Sequence, residues 1–207
     1  PTTILFVLSG GVKREKDYLK PLDKIRRVVV AFASKGGQGL LPRQLIETAD
    51  KFVQKGVFAT PKRDYTIEEG DVIYLLQDVD QFETDIRTIW AEKHAQNVCW
   101  IISNPCFEIW MYAYFGSMPA IRDSWTCCSE FGRVYETKTG QKYSKADEQM
   151  YGKICKAGDE EKAIQIAQQK LEQCKREGKT KPSEMCPCTT VHELVGEIKA
   201  KIKWKEF

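Results

Sequence analysis

Four short runs of strand-forming residues alternate with helical patterns through the first half of the chain, and no other feature constrains its fold as strongly. Residues 4–8 are apolar and lead into Gly10-Gly11, after which a helical pattern runs from about Glu15 to Leu22. Residues 28–32 are apolar and rich in valine. A helix is expected over 42–54, where Leu45, Ala49, Phe52 and Val53 share one face. A third strand is expected at 72–76, then an amphipathic helix at 82–94 with Phe82, Ile86, Ile89 and Trp90 on one stripe. A fourth strand at 98–102 leads to Pro105 and an aromatic, apolar stretch at 107–115 that reads as a buried helix. Strands that alternate with helices in this way pair in parallel through crossover connections. The expected fold is α/β, with four mainly parallel strands flanked by helices. Ligands of such sheets bind outside the carboxyl ends of the strands.

Beyond Gly116 the pattern changes. Ala163, Ile166, Ala167 and Leu171 are spaced for a helix over 159–176, and Val191, Leu194, Val195, Ile198 and Ile202 for a last one. Thr189 or Thr190 is its expected N-cap, with Glu193 as the capping-box partner. The chain therefore divides into an α/β core, 1–116, and a mainly helical extension, 117–207, packed on that core as one structural unit.

Five tryptophans and a hydrophobic fraction of 42% suffice for a real core, while a net charge of +3 is too mild to imply nucleic acid by itself. No run approaches the length of a membrane span, and residues 3–8 lack the length and cleavage site of a secretion signal. A cytoplasmic protein is expected, its eight cysteines reduced. Cys127-Cys128 and Cys186-Pro187-Cys188 lack the two-residue gap of a zinc knuckle, and His192 is the one histidine near either. Cys99 and Cys106 read as small buried hydrophobes.

The chemistry-bearing feature stands directly behind the third strand, as Gln77-Asp78-Val79-Asp80. Side chains on a strand alternate with period two. An extended segment would therefore point Asp78 and Asp80 the same way, giving Mg²⁺ or Mn²⁺ a pair of oxygen ligands. The competing reading is an acidic solvated turn.

Ser103-Asn104-Pro105-Cys106-Phe107-Glu108-Ile109-Trp110 resembles the signature of the RloB-like family, bacterial proteins of antiviral and restriction-associated loci. Residues 4–9 with Gly10, Glu15, Tyr18 and Leu19 resemble that family's opening, Asp78 and Asp80 its aspartate pair, and 189–195 its closing helix. The likeness spans about 4–198. It implies a Toprim-like fold, in which a glutamate after the first strand and an aspartate pair after the third hold Mg²⁺ for phosphoryl transfer. It also implies a nuclease of antiphage defence or abortive infection, with RNA (tRNA included) ahead of DNA as substrate, and an ATPase partner. The rival is a non-catalytic protein of the same fold that binds an ATPase or nucleic acid. The chain departs from the pattern at Ser9, where the family's glutamate is expected, and at Gln81 and Phe82, where an acidic residue and a histidine often follow the pair. Either Glu15 or Glu108 replaces the missing ligand, or the site binds metal weakly without chemistry.

Each further candidate has two readings. Glu108, among apolar neighbours, is either a general acid or base with a raised pKa or the partner of a core arginine or lysine. Asn104 meets a phosphate or caps a helix. Ser9, Gly10, Lys13 and Arg14 form a phosphate-binding turn beside a helix start or an ordinary basic turn. Glu15 reaches the site or faces solvent. Lys142, Tyr143 and Lys145 form a basic, aromatic loop of the kind that holds single strands, or an exposed loop. The Gly-rich segment 36–39 lacks a P-loop's Lys-Ser/Thr ending.

Overall fold

The first strand, β1 (Thr3–Ser9), sends alternate side chains into two different cores. Leu5 and Val7 join one cluster; Phe6 and Leu8 join another on the opposite face. All four are buried. An unbroken apolar run is what a strand covered on both faces requires. The computed structural model describes residues 3–11, 14–21, 28–33, 39–94 and 97–203.

The main sheet has the order β2-β1-β5-β6-β7. Strands β2 (Val28–Ala33), β5 (Ile73–Asp78) and β6 (Val98–Asn104) run parallel to β1, and β7 (Cys188–Thr189) closes the far edge antiparallel to β6. The four parallel strands expected from sequence are all present. The chain leaves β1 for β2 and later returns past β1 to β5. This places a topological switch between β1 and β5, where an open α/β sheet leaves a crevice at its carboxyl edge.

Helix α1 (Arg14–Leu19) follows β1, and α2 (Pro42–Lys55) covers the second face with Leu45, Ile46 and Ala49. A small antiparallel hairpin, β3 (Val57–Ala59) and β4 (Asp64–Thr66), adds Phe58 to that face. After β5 a 3-10 turn, Asp80–Phe82, leads into α3 (Glu83–Trp90). Ile86 and Ile89 are buried as their stripe requires, but Trp90 is 40% exposed.

Helix α4 (Glu108–Ala113) is buried on every side. It packs against α5 (Ser124–Thr139) and α7 (Glu160–Arg176), and α6 (Met150–Ala157) and α8 (Val191–Lys203) join the same core. One cluster joins Leu5, Val7, Tyr74 and Leu76 of the sheet to Trp110, Phe131, Ile154, Ala167 and Ile198. The largest cluster thus spans both halves, while Leu171, Cys174, Met185 and Cys188 form a small cluster within the second. Gly158, between α6 and α7, lies so close to α4 that a Cβ there would stand 2.6 Å from the Tyr114 carbonyl oxygen.

Thr189 and Thr190 serve the sheet. Thr190 Oγ1 accepts from the Ile102 amide at 2.9 Å, and Thr189 Oγ1 bonds Ser103 Oγ at 2.9 Å, so both hydroxyls reach β6. Thr189 Oγ1 also accepts from the Val191 amide at 3.2 Å, which is its one service to α8.

Candidate functional site

Three carboxylates from three elements meet one guanidinium at the carboxyl edge of the sheet. Arg14, the first residue of α1, donates from Nη2 to Asp78 Oδ2 at 2.5 Å and to Glu15 Oε1 at 3.1 Å. Its Nη1 donates to Glu108 Oε2 at 2.5 Å. Asp78 is the last residue of β5, and Glu108 the first of α4. Glu108 is wholly buried, and its second oxygen accepts from the Tyr143 hydroxyl at 2.8 Å.

The local backbone makes room for this group. Gly10 donates its amide to the Leu76 carbonyl at 2.9 Å, and the Ser9 hydroxyl accepts from the Gly11 amide at 3.1 Å. A side chain at Gly10 would meet Gln77 Oε1 at 2.5 Å, and one at Gly11 would collide with the Glu15 carboxylate. The two glycines leave room for the ends of the Gln77 and Glu15 side chains. Glu15 Oε2, Gln77 Oε1 and Arg14 Nε are buried without a hydrogen-bond partner.

Charge is unbalanced here. Burial pushes the Asp78 carboxyl up, to about 7; Arg14 opposes this, while Glu15 and Glu108 add to it. For Glu108, burial also pushes upward but loses to Arg14, with help from the Cys106 thiol and the Tyr143 hydroxyl, and the carboxyl sits at about 2. Arg14 is held well above its ordinary value: its three acidic neighbours outweigh burial. Glu108 is therefore an ionised partner of a buried arginine, the reverse of the raised pKa that would suit a general acid.

The aspartate pair does not lie on one extended segment. The strand ends at Asp78, and Val79 turns helical, with φ −89° and ψ −41°. The period-two rule stops applying before Asp80, whose Oδ2 accepts from the Ser124 amide at 2.9 Å, at the start of α5. Asn104 neither caps a helix nor faces the cluster: its buried Nδ2 donates to the Pro182 carbonyl at 3.0 Å. Arg14, beside the glycine turn, faces carboxylates. Lys13 lies outside the described residues.

A cavity of about 320 Å³ opens over the cluster. It is lined by Arg14 and Asp78, by Gln81 and Phe82, by Cys106 and Cys128, and by Ser124, Trp125 and Lys145. Cys106, Glu108 and Cys128 bring three ligand atoms within 4.8 Å of one another, a possible Cys/Glu metal-binding cluster. Among the described residues, Glu15, Asp78, Asp80 and Glu108 gather no three oxygens so closely. Sequence reasoning weighed zinc at Cys127-Cys128, set it aside and read Cys106 as a small hydrophobe; it missed the pairing of Cys106 with Cys128, whose separation follows no ligand-spacing pattern. Tyr143 and Lys145 carried a signal in their basic, aromatic loop.

Among the described residues, no helix is long and apolar enough to cross a membrane. No curated protein and no solved structure matches the chain. A family model described as "RloB-like protein" matches residues 5–198, which is nearly the whole chain. By that match, this chain belongs to the RloB-like family.

Proposed function

We propose that this protein is a Toprim-like, metal-dependent nuclease that cleaves phosphodiesters in RNA, tRNA included, as an effector of bacterial antiphage defence. One observation carries the reading: Glu15, Asp78 and Glu108 converge on a single guanidinium at the carboxyl ends of β1, β5 and β6. Burying carboxylates is costly, and folding alone gives no reason to gather three against one arginine.

The donors present fit a hard divalent cation. They are carboxylate oxygens, their formal charge exceeds that of Arg14 by two, and Glu15 Oε2 is orphaned in the interior. Asp78 and Glu15, which share Arg14 Nη2, would hold Mg²⁺ or Mn²⁺, and Arg14 is the cation it would displace. Two protein carboxylates are enough for Mg²⁺, which keeps several waters. Once bound, the ion would polarise a phosphoryl oxygen and acidify a water. Arg14, released from Asp78, keeps its bond to Glu108 and presents its remaining donors to a phosphate. Glu108, fixed by Arg14 and Tyr143, is a positioning residue. Lys145 on the cavity wall adds positive charge where a polyanion enters. A gated ATPase partner would restrain such an activity.

The second reading is a non-catalytic protein that binds an ATPase or nucleic acid. It is favoured by Arg14 filling the place between Asp78 and Glu15, and by Asp80 being tied to the Ser124 amide. Incubation of the protein with total bacterial RNA and with plasmid DNA, in Mn²⁺ or in chelator, separates the two. The nuclease reading expects RNA fragments in Mn²⁺ that vanish in chelator, and a loss of at least about 100-fold in Asp78→Asn. Intact RNA in both, with a Mn²⁺ thermal shift equal in wild type and Asp78→Asn, leaves the interaction protein. Fragments that persist in chelator overturn the metal mechanism.

A further inference from the structure

We infer that Cys106, Glu108 and Cys128 form a thiolate-rich site for Zn²⁺, distinct from the hard-cation seat at Asp78 and Glu15. The proposal does not depend on the nuclease reading.

The distance between the sulfurs comes first. Cys106 Sγ and Cys128 Sγ lie 3.9 Å apart. Two sulfurs bound at about 2.3 Å to a tetrahedral zinc stand about 3.8 Å from each other, whereas a disulfide brings them to about 2.05 Å. Both cysteines are free thiols. The turn after β6 supplies Cys106, and the second turn of α5 supplies Cys128, so the spacing is set by two packed elements. Glu108 completes a set of three ligand atoms, all within 4.8 Å of one another.

The outer partners of a metal ligand are already in place. Glu108 accepts one hydrogen bond on each oxygen, from Tyr143 and from Arg14. A carboxylate oxygen has two lone pairs, and the one that meets the Cys106 thiol is freed for a cation when that thiol loses its proton. A ligating carboxylate held in this way is the usual outer-shell arrangement of zinc sites. On the open side, both cysteines line the cavity of about 320 Å³ together with Lys145. A zinc held there would border that cavity, which would leave room for a water as fourth ligand.

Charge bookkeeping favours the exchange. Each thiol loses a proton as its sulfur binds the metal, so two protons leave as Zn²⁺ enters, and the formal charge of the pocket is unchanged. The Arg14–Glu108 pair is thus left compensated. Two sulfur ligands with one oxygen select a borderline-soft ion such as Zn²⁺ over Mg²⁺.

The test uses the whole reduced protein, stripped of metal and titrated with Co²⁺, then Zn²⁺. Expected are one Co²⁺ per chain, a near-ultraviolet thiolate-to-cobalt absorption, its bleaching by Zn²⁺, and release of two protons per ion. Cys128→Ser, at a half-buried position, should stay folded by near-ultraviolet circular dichroism and lose more than about 100-fold in affinity, beyond what removing an outer-shell partner costs. Cys99→Ser and Cys155→Ser should bind as wild type does. Should the buried Cys106→Ser variant fail to fold, Cys128→Ser alone decides. The proposal is overturned by absent thiolate absorption in the wild type. It is equally overturned if that absorption survives in folded Cys128→Ser, or disappears only when Cys186 and Cys188 are replaced.

Discussion

At the scale of single residues, the acidic cluster contains two carboxylates with opposite standing. Glu108 is wholly buried and satisfies both Arg14 and Tyr143. Its truncation to alanine strands a guanidinium donor and a hydroxyl in the interior. Breaking a buried pair from one side costs about 3–5 kcal/mol. The Asp78 side chain is 22% exposed and draws on an arginine that Glu15 and Glu108 also use. Asp78→Asn removes one of two surplus negative charges and keeps the shape. In metal-free protein at pH 7.5, urea unfolding should show Glu108→Ala destabilised by that amount. Asp78→Asn should be stabilised by roughly 1 kcal/mol, as expected where a site holds strain for function. Equal losses in both variants would mean that Asp78 is an ordinary structural ion pair.

At the scale of elements, the joint between β7 and α8 holds a histidine that ought to sense acid. His192 is buried in the first turn of α8, with Nδ1 3.2 Å from the Thr189 carbonyl. Burial lowers its pKa below the ordinary 6.5; Glu193 and the Thr189 bond oppose this, and Lys175 reinforces it. The unfolded chain then binds a proton near pH 6.5 that the folded chain refuses. Folding stability therefore falls as pH drops below 6.5, with a slope of at most about 1.4 kcal/mol per pH unit from this one group. His192→Gln removes that slope. Urea midpoints at pH 8 and pH 5 should show the wild type losing more stability than the variant; parallel losses would refute the assignment. The same joint shows where sequence reading stops. Strands β1, β2, β5 and β6 were legible because each is an apolar run bounded by breakers. A two-residue strand such as β7, or the three-residue pair β3 and β4, is too short for any periodicity. The extended course expected through Asp80 stops at Val79, which turns helical and is buried with Ile86 and Ile102. Arg14 read as a phosphate contact or part of a basic turn, because its partners, Asp78 and Glu108, lie 64 and 94 residues away. Nothing local records such distances, and the same holds for Cys106 and Cys128.

At the scale of the molecule, the α/β half and the helical half share one interior. Leu5, Val7, Tyr74, Leu76 and Ile101 on one face of the sheet are covered in a single cluster with Tyr112, Phe131, Tyr135, Ile154, Ala167 and Leu194. Helix α4 shows the consequence most sharply. Ile109, Trp110, Met111 and Ala113 are all 0% exposed, so the helix is apolar on every side and needs neighbours on every side. A fragment ending at residue 116 would bare that helix and one whole face of the sheet. Each large apolar side chain returned to water costs about 1.5–3 kcal/mol. Five of them cost about 7.5–15 kcal/mol, as much as the roughly 5–15 kcal/mol that stabilises a typical domain. The fragment should therefore show no cooperative urea transition and a disordered far-ultraviolet dichroism spectrum. The whole chain should unfold in one step, with tryptophan fluorescence and dichroism coincident. The functional site requires the same unity, since Tyr143, Lys145 and Cys128 come from the helical half to a cluster built on β5 and α1. A fragment of 1–116 with its own sharp transition would mean that the helical half is an ornament on a finished core.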